Sequence, residues 1–436
     1  MKEMHNKNLY NSLRAYCELA CALLQPIKET IRPLAVSHLV TLTDEGQIGQ
    51  GWKHHVPWQI WVEPIEEQLE ESAAAQDVQA EIEGDPSLAT QMEGGSERLR
   101  RSVFFSLLDR QQGVDFRVDV FDKLYGEIES YLTSETYTVR HLALPVGFES
   151  PNERIEIEPG LAISRLEKND REEFLTVRGF FEASRLTDVR FAIEVIHPKR
   201  KAHGLSSSGT KTVPAGRAAR ETITAFCTAM RLFKAGRVGY SDVLTRVVGW
   251  SLEGGRHSTH SEQPPVWNWG DVYTISIAEA DAIRECWTGF KRSRTRRSDS
   301  LDLSLRRFSS AYERSDEDDR LMDLVLAMEP LLLGGFKQEI RYRFSLRGAY
   351  ILGADPDSRE AVFNDLYAGY GYRNELAHGN ETKRTIKVGQ DELSIAELNL
   401  RLGQRARELI RVLLDLDNRK AFFEKLDRAI ARGVAP

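Results

Sequence analysis

Tyr372-Arg373-Asn374-Glu375-Leu376-Ala377-His378-Gly379 closes an amphipathic helical pattern that begins near Ser358. It places an arginine, an amide and a histidine within six residues. At 100° per residue, Arg373 and His378 point about 140° apart, whereas Asn374 and His378 share a face within about 40°. One straight helix therefore does not focus the arginine and the histidine on a small target. They converge on an extended ligand, across a loosened last turn, or across a two-fold axis with a second copy. Gly379 supplies a helix stop, and a histidine in the last turn suits the negative end of the dipole. Histidine moves protons near neutral pH, and arginine binds phosphate without losing charge. The pair suits cleavage of RNA by its own 2′-hydroxyl, with His378 moving the proton and Arg373 holding the phosphorane. The same residues also make an ordinary polar helix end.

Working outward, the C-terminal third reads as helix throughout. Helical apolar spacing covers 301–314, 318–333, 338–353, 358–378, 393–416 and 418–432, with short Gly, Pro and Asp turns between. Short connections imply antiparallel neighbours and an up-and-down bundle. Ser358 is the expected cap of the helix that carries the motif. Glu329 and Arg347 are charges set in apolar helices, expected to form a buried ion pair with each other or to support the site from beneath. Tyr370, one turn before Asn374, is either core or a platform for a base.

Upstream, residues 1–135 read as a mostly helical region, although Trp58–Val62 alternates like a strand. The stretch from Glu63 to Glu97 is rich in Glu, Gln and Ala and reads as a solvated helix or a mobile segment. Residues 136–297 read as a mixed α/β unit with strands at 137–145, 155–165 and 190–196 and a strong helix at 218–234. His197–Gly216 reads as an exposed basic loop. His257 and His260 lack the further ligands that a metal site needs. Lys291, Arg292, Arg294, Arg296 and Arg297 form the sharpest basic run, either a solvated linker or one wall of a groove that neutralises phosphates.

The 436 residues suffice for two or three domains, and the formal charge of -7 argues against wholesale coating by nucleic acid, so any RNA contact must be local. Cys17, Cys21, Cys227 and Cys286 lack the spacing of a zinc or disulfide framework and read as buried thiols in a reducing cytoplasm. The N-terminus does not read as a signal peptide, and no apolar run approaches a membrane span. The fold class is thus α+β: a largely helical N-terminal region, a mixed middle and an all-helical bundle over 298–436.

That bundle resembles the HEPN family, in its ApeA-like branch. The resemblance rests on Leu303–Arg314, Asp319–Leu333, Tyr342–Ala349 and above all Tyr372–Gly379, which fits the family's Arg-x4-to-6-His pattern with a polar residue after the arginine. It implies a homodimeric, metal-independent endoribonuclease with two motifs facing one cleft. Arg373 and His378 would be catalytic, and Asn374 would orient the imidazole or the phosphate. No cofactor is implied. The products would be a 2′,3′-cyclic phosphate and a 5′-hydroxyl, with tRNA among the substrates to try. The setting would be phage defence or a toxin system, with a phage-derived trigger or regulatory partner. The alternative is a bundle that only binds or dimerises, and a nucleotide or phosphoanhydride substrate is a third possibility because Arg and His recognise phosphate generally.

Overall fold

The computed structural model describes residues 6–42, 48–91, 95–178, 190–201, 215–236, 238–252, 257–260, 272–293, 298–333, 338–379, 384–416 and 418–433. The N-terminal region holds α1 (Lys7–Leu24), α2 (Trp58–Glu70), α3 (Ala73–Gly84), α4 (Pro86–Gln91), α5 (Ser96–Gln111) and α6 (Val118–Thr133), with a hairpin of β1 (Leu34–Leu42) and β2 (Ile48–His55) after α1. Trp58–Val62 is therefore helix and not strand. Trp58 and Val62, four apart, are both buried on α2, and this spacing outranks the two-residue alternation. The described part of the Glu-rich stretch up to Gln91 is largely helix with an inner face, because Leu69, Ala75, Val78, Ile82 and Leu88 are all buried, and residues 92–94 lie outside the described residues.

The middle of the chain forms a six-stranded antiparallel sheet. Its strands are β3 (Thr136–Val146), β5 (Arg154–Glu158), β6 (Leu161–Arg165), β7 (Phe191–Arg200), β8 (Gly239–Val247) and β9 (His257–His260), in the order β5-β6-β7-β3-β8-β9. The short β4 (Phe148–Glu149) pairs with β10 (Tyr273–Thr274) outside it, and α7 (Lys168–Arg178) follows β6. Helix α8 (Ala215–Phe233) lies against the sheet through Ile223, Phe226, Cys227 and Met230, whose i, i+3, i+4, i+7 spacing makes one wholly buried stripe. Helix α9 (Ala280–Ser293) packs beside α8. Part of the supposed basic loop is buried: Lys201 is 7% exposed, donates to the Tyr131 carbonyl and lies 4.3 Å from the Tyr131 ring centroid. Residues 202–214 lie outside the described residues.

Within β3, His141 is fully buried, its Nδ1 is 2.8 Å from Thr245 Oγ1, and its ring stacks on His197 at 5.0 Å. Burial, then the neighbouring His197, pulls His141 down to about 4. Burial and Lys199 lower His197 as well.

The C-terminal helices are α10 (Asp299–Glu313), α11 (Glu317–Leu332), α12 (Ile340–Leu352), α13 (Pro356–Ala377), α14 (Ile395–Leu414) and α15 (Arg419–Arg432). Helix α10 packs on α11, α12 on α13, and α11 on α14. A hairpin that the sequence pattern did not announce, β11 (Thr385–Val388) and β12 (Asp391–Ser394), joins α13 to α14. The chain is thus α+β with a helical C-terminal region. Among the described residues, no helix is long and apolar enough to cross a membrane.

Two cores result. One gathers Leu13, Val103, Phe121 and Ile128 of the N-terminal helices and takes in Tyr137, Val139 and Trp250. The other runs from Ala143 of β3 through Phe226 and Met230 to Phe308, Leu321, Leu366 and Leu402. Strand β3 belongs to both. The boundary drawn at residue 298 does not separate cores, since sheet and bundle share one.

Candidate functional site

Helix α13 starts on a reciprocal cap. Asp355 Oδ1 accepts from the Ser358 amide at 2.9 Å, and the Asp355 amide donates to Ser358 Oγ at 3.0 Å. The cap is therefore Asp355, three residues before the serine expected in that role, with Pro356 in the first turn where a missing N–H costs nothing. At the other end, His378 is the C-cap, its amide donating to the Asn374 carbonyl at 3.1 Å, and Gly379 turns the chain at φ +70°.

Between these ends α13 is fixed to α11. Tyr370 Oη donates to Glu329 Oε1 at 2.9 Å, and Tyr372 Oη donates to Asp318 Oδ1 at 2.8 Å. Arg373 places Nη2 3.4 Å from Glu329 Oε2 and donates from Nη1 to Asn374 Oδ1 at 3.1 Å. Its guanidinium lies 5.5 Å from the Tyr370 ring centroid, and its Nε is buried with no acceptor. Burial, followed by the hydrogen bond to Glu329, pushes the Tyr370 phenol up to about 12. Tyr370 is thus a proton donor to Glu329 at any physiological pH.

The structure bears on three readings that the sequence left open. Glu329 and Arg347 do not pair with each other. Glu329 takes Tyr370 and Arg373, while Arg347 is bidentate on Asp427 at 3.0 and 2.6 Å and donates to the Leu332 carbonyl at 2.7 Å. Each carboxylate–arginine pairing is thus made with another helix, Glu329 with α13 and Arg347 with α15, while Arg347 also caps the end of α11 through the Leu332 carbonyl. Tyr370 is no base platform, because it is 4% exposed and its ring packs on Phe344. Lys291 pairs with Glu158 and lies 5.6 Å from the Trp287 ring centroid, so its charge is already matched on the sheet side. Arg292 sits on the same last turn of α9, and Arg294, Arg296 and Arg297 lie outside the described residues.

Arg373 and Asn374 are brought together, and His378 stands exposed below them. An aromatic row at the surface continues this line. Tyr342 is 51% and Tyr367 39% exposed. Phe363 joins them, stacked on Tyr367 at 5.5 Å and edge-on to Tyr342 at 5.8 Å. Arg341 caps the row, its guanidinium 3.6 Å from the Tyr367 ring centroid and its Nε donating to the Tyr367 carbonyl at 2.8 Å. Gly371 permits this approach, since a Cβ there would stand 2.4 Å from Arg341 Nη2. No carboxylate among the described residues pairs with Arg341. On an ideal helix Tyr367, Asn374 and His378 fall within about 20° of one stripe, so rings, cation, amide and imidazole follow one line. The legible signal was the i, i+4 pair Phe363 and Tyr367, which fits a surface as well as a core.

No family model, curated protein or solved structure significantly matches this chain.

Proposed function

We propose that the chain is a metal-independent endoribonuclease of the HEPN type, with Arg373, Asn374 and His378 as its acting residues. The observation that carries the reading is the exposed imidazole of His378 on the stripe that also bears Asn374, whose Oδ1 accepts from the Arg373 guanidinium. In the reaction, His378 takes the proton of a ribose 2′-hydroxyl and the 2′-oxygen bonds to phosphorus. The bond from phosphorus to the 5′-oxygen then breaks, and that oxygen takes up a proton. Arg373 stabilises the charge gathered on the phosphorane, and Asn374 holds the guanidinium in place. A second copy would contribute its own motif across a two-fold axis and supply the acid for the leaving oxygen.

Arg341 and the Tyr342, Phe363 and Tyr367 rings support a single-stranded substrate, because unpaired bases stack on aromatic side chains and guanidinium planes. On the Tyr372 side, Asp316, Glu317 and Asp318 outnumber Arg384 in the lining of a pocket of about 420 Å³. A polyanion therefore approaches from the Arg341 side. Phage defence or a toxin system is the setting in which such an activity is useful. A second reading, a module that binds or dimerises without cutting, draws on one observation, the Glu329 carboxylate that already faces Arg373.

The deciding experiment incubates tRNA and a generic single-stranded RNA with the protein in EDTA, beside His378→Ala and Arg373→Ala. Cleavage leaving cyclic phosphate ends, reduced by roughly a hundredfold or more in both variants, is expected. Binding without cleavage by the wild type, also during phage challenge in cells, would favour the second reading.

A further inference from the structure

A cavity of about 290 Å³ lies where α8, α10, α11 and α14 meet. Small residues make the room, namely Ala235, Gly236, Ala311, Ala396 and Gly403. Three features there are unexplained by packing alone. Asn399 is 4% exposed and gives Nδ2 to the Glu317 carbonyl and Oε2 at 2.8 and 2.7 Å, yet its Oδ1 is buried without a donor. A buried acceptor left unmade is costly. Arg407 is 5% exposed, and its partners are all neutral: the Arg231 carbonyl, Gln404 Oε1 and Tyr312 Oη at 2.8, 2.6 and 2.6 Å. No carboxylate among the described residues offsets its charge, which a buried site ordinarily requires. Gly403 lies inside α14, where glycine costs the helix roughly 0.5–1 kcal/mol. A Cβ there would meet nothing within 4 Å. Crowding does not require this glycine.

Asn399, Gly403 and Arg407 follow one another at four-residue intervals, so they form a stripe along α14 about 12 Å long. An orphan acceptor stands at one end, an uncompensated cation at the other and open space between. Tyr312, Leu324 and Leu400 add apolar wall, Leu400 being 71% exposed. We infer that this cavity binds a small anionic metabolite of the mononucleotide class. Its phosphate would meet Arg407, a ring N–H would donate to Asn399 Oδ1, and its flat body would lie over Gly403. A water molecule would satisfy Asn399 but leave the cation unmatched. A zwitterionic amino acid would bring no net charge to offset Arg407; Arg320, which also lines the cavity, is already paired with Glu317 at 2.6 Å. The inference does not depend on the nuclease reading.

The test is calorimetric titration of the full chain with AMP, GMP, CMP and UMP, with adenosine, inorganic phosphate and phenylalanine as separate arms. At least one mononucleotide is expected to bind with a Kd below about 1 mM. Adenosine and phosphate alone should each bind more weakly. Gly403→Leu, which fills the cavity from a position with open space, should weaken binding about tenfold or more without lowering the melting temperature. Gly403→Ala, the gentler change, should weaken it less and keeps the comparison available if the leucine variant misfolds. Absence of binding by all four nucleotides would overturn the inference. So would equal binding by Gly403→Leu, or phosphate or phenylalanine binding as tightly as any nucleotide.

Discussion

Glu329 decides how Arg373 is presented. Its two oxygens are divided between the Tyr370 hydroxyl and the Arg373 guanidinium, so a phosphate that engages Arg373 must compete with a carboxylate already facing it. Glu329→Gln keeps an acceptor for Tyr370 and removes the competing charge. The variant should bind a short single-stranded RNA about three- to tenfold more tightly at low salt, read by fluorescence anisotropy, with a melting temperature within a few degrees of wild type. Unchanged affinity would mean that Glu329 does not compete for Arg373. His141 gives a second test at this scale. Its folded pKa of about 4 lies below the ordinary value of 6.5, so the stability contributed by burying the neutral ring is present above pH 6.5. That contribution is lost as the pH falls through 4. A shift of this size corresponds to about 3 kcal/mol. Urea denaturation should therefore show stability falling from pH 6.5 to 4 in the wild type and falling less steeply in His141→Phe. The residues proposed to act were legible because they lie within six positions in sequence. Their partners were not, because which of several charges meets Arg373 depends on how α11 and α13 are set against one another, and no local pattern encodes that.

At the scale of elements, α12 and α13 approach each other through Gly348, where an added Cβ would lie 2.2 Å from Leu366 Cδ1. Leu366 is fully buried, so its methyl can make way only by repacking against its neighbours. Gly348→Ala should destabilise the protein by about 1–3 kcal/mol in denaturant titrations, since overpacking outweighs the gain in helix propensity. A neutral outcome would mean that the two helices separate easily. The long helices of the bundle were readable because each repeats its apolar spacing over several turns. The short elements were not. Trp58–Val62 offers one alternation that either period can claim, and Thr385–Ser394 is a hairpin whose strands each hold four residues. The Tyr342, Phe363 and Tyr367 row shows a related ambiguity: spacing marks residues that share a face, and whether that face is covered depends on the rest of the fold.

Across the whole molecule, Trp250 ties the N-terminal helices to the sheet. Its ring meets Tyr131 edge-on at 5.4 Å and its Nε1 donates to Ser106 Oγ at 3.1 Å. Trp250→Ala removes a large buried side chain from the first core only. Hydrogen exchange should quicken in α5 and α6 while α11 and α13 keep their protection. Equal loss in both would mean that the two cores open together. The second core has a different consequence. Arg407 of α14 holds the Arg231 carbonyl of α8, and Arg231 reaches Glu313 of α10 at 3.1 Å. A helical unit excised at residue 298 would leave Arg407 and Glu313 without these partners and bare the surface that α8 covers. The smallest fragment that keeps this core closed is therefore larger than the bundle and includes Ala215–Phe233.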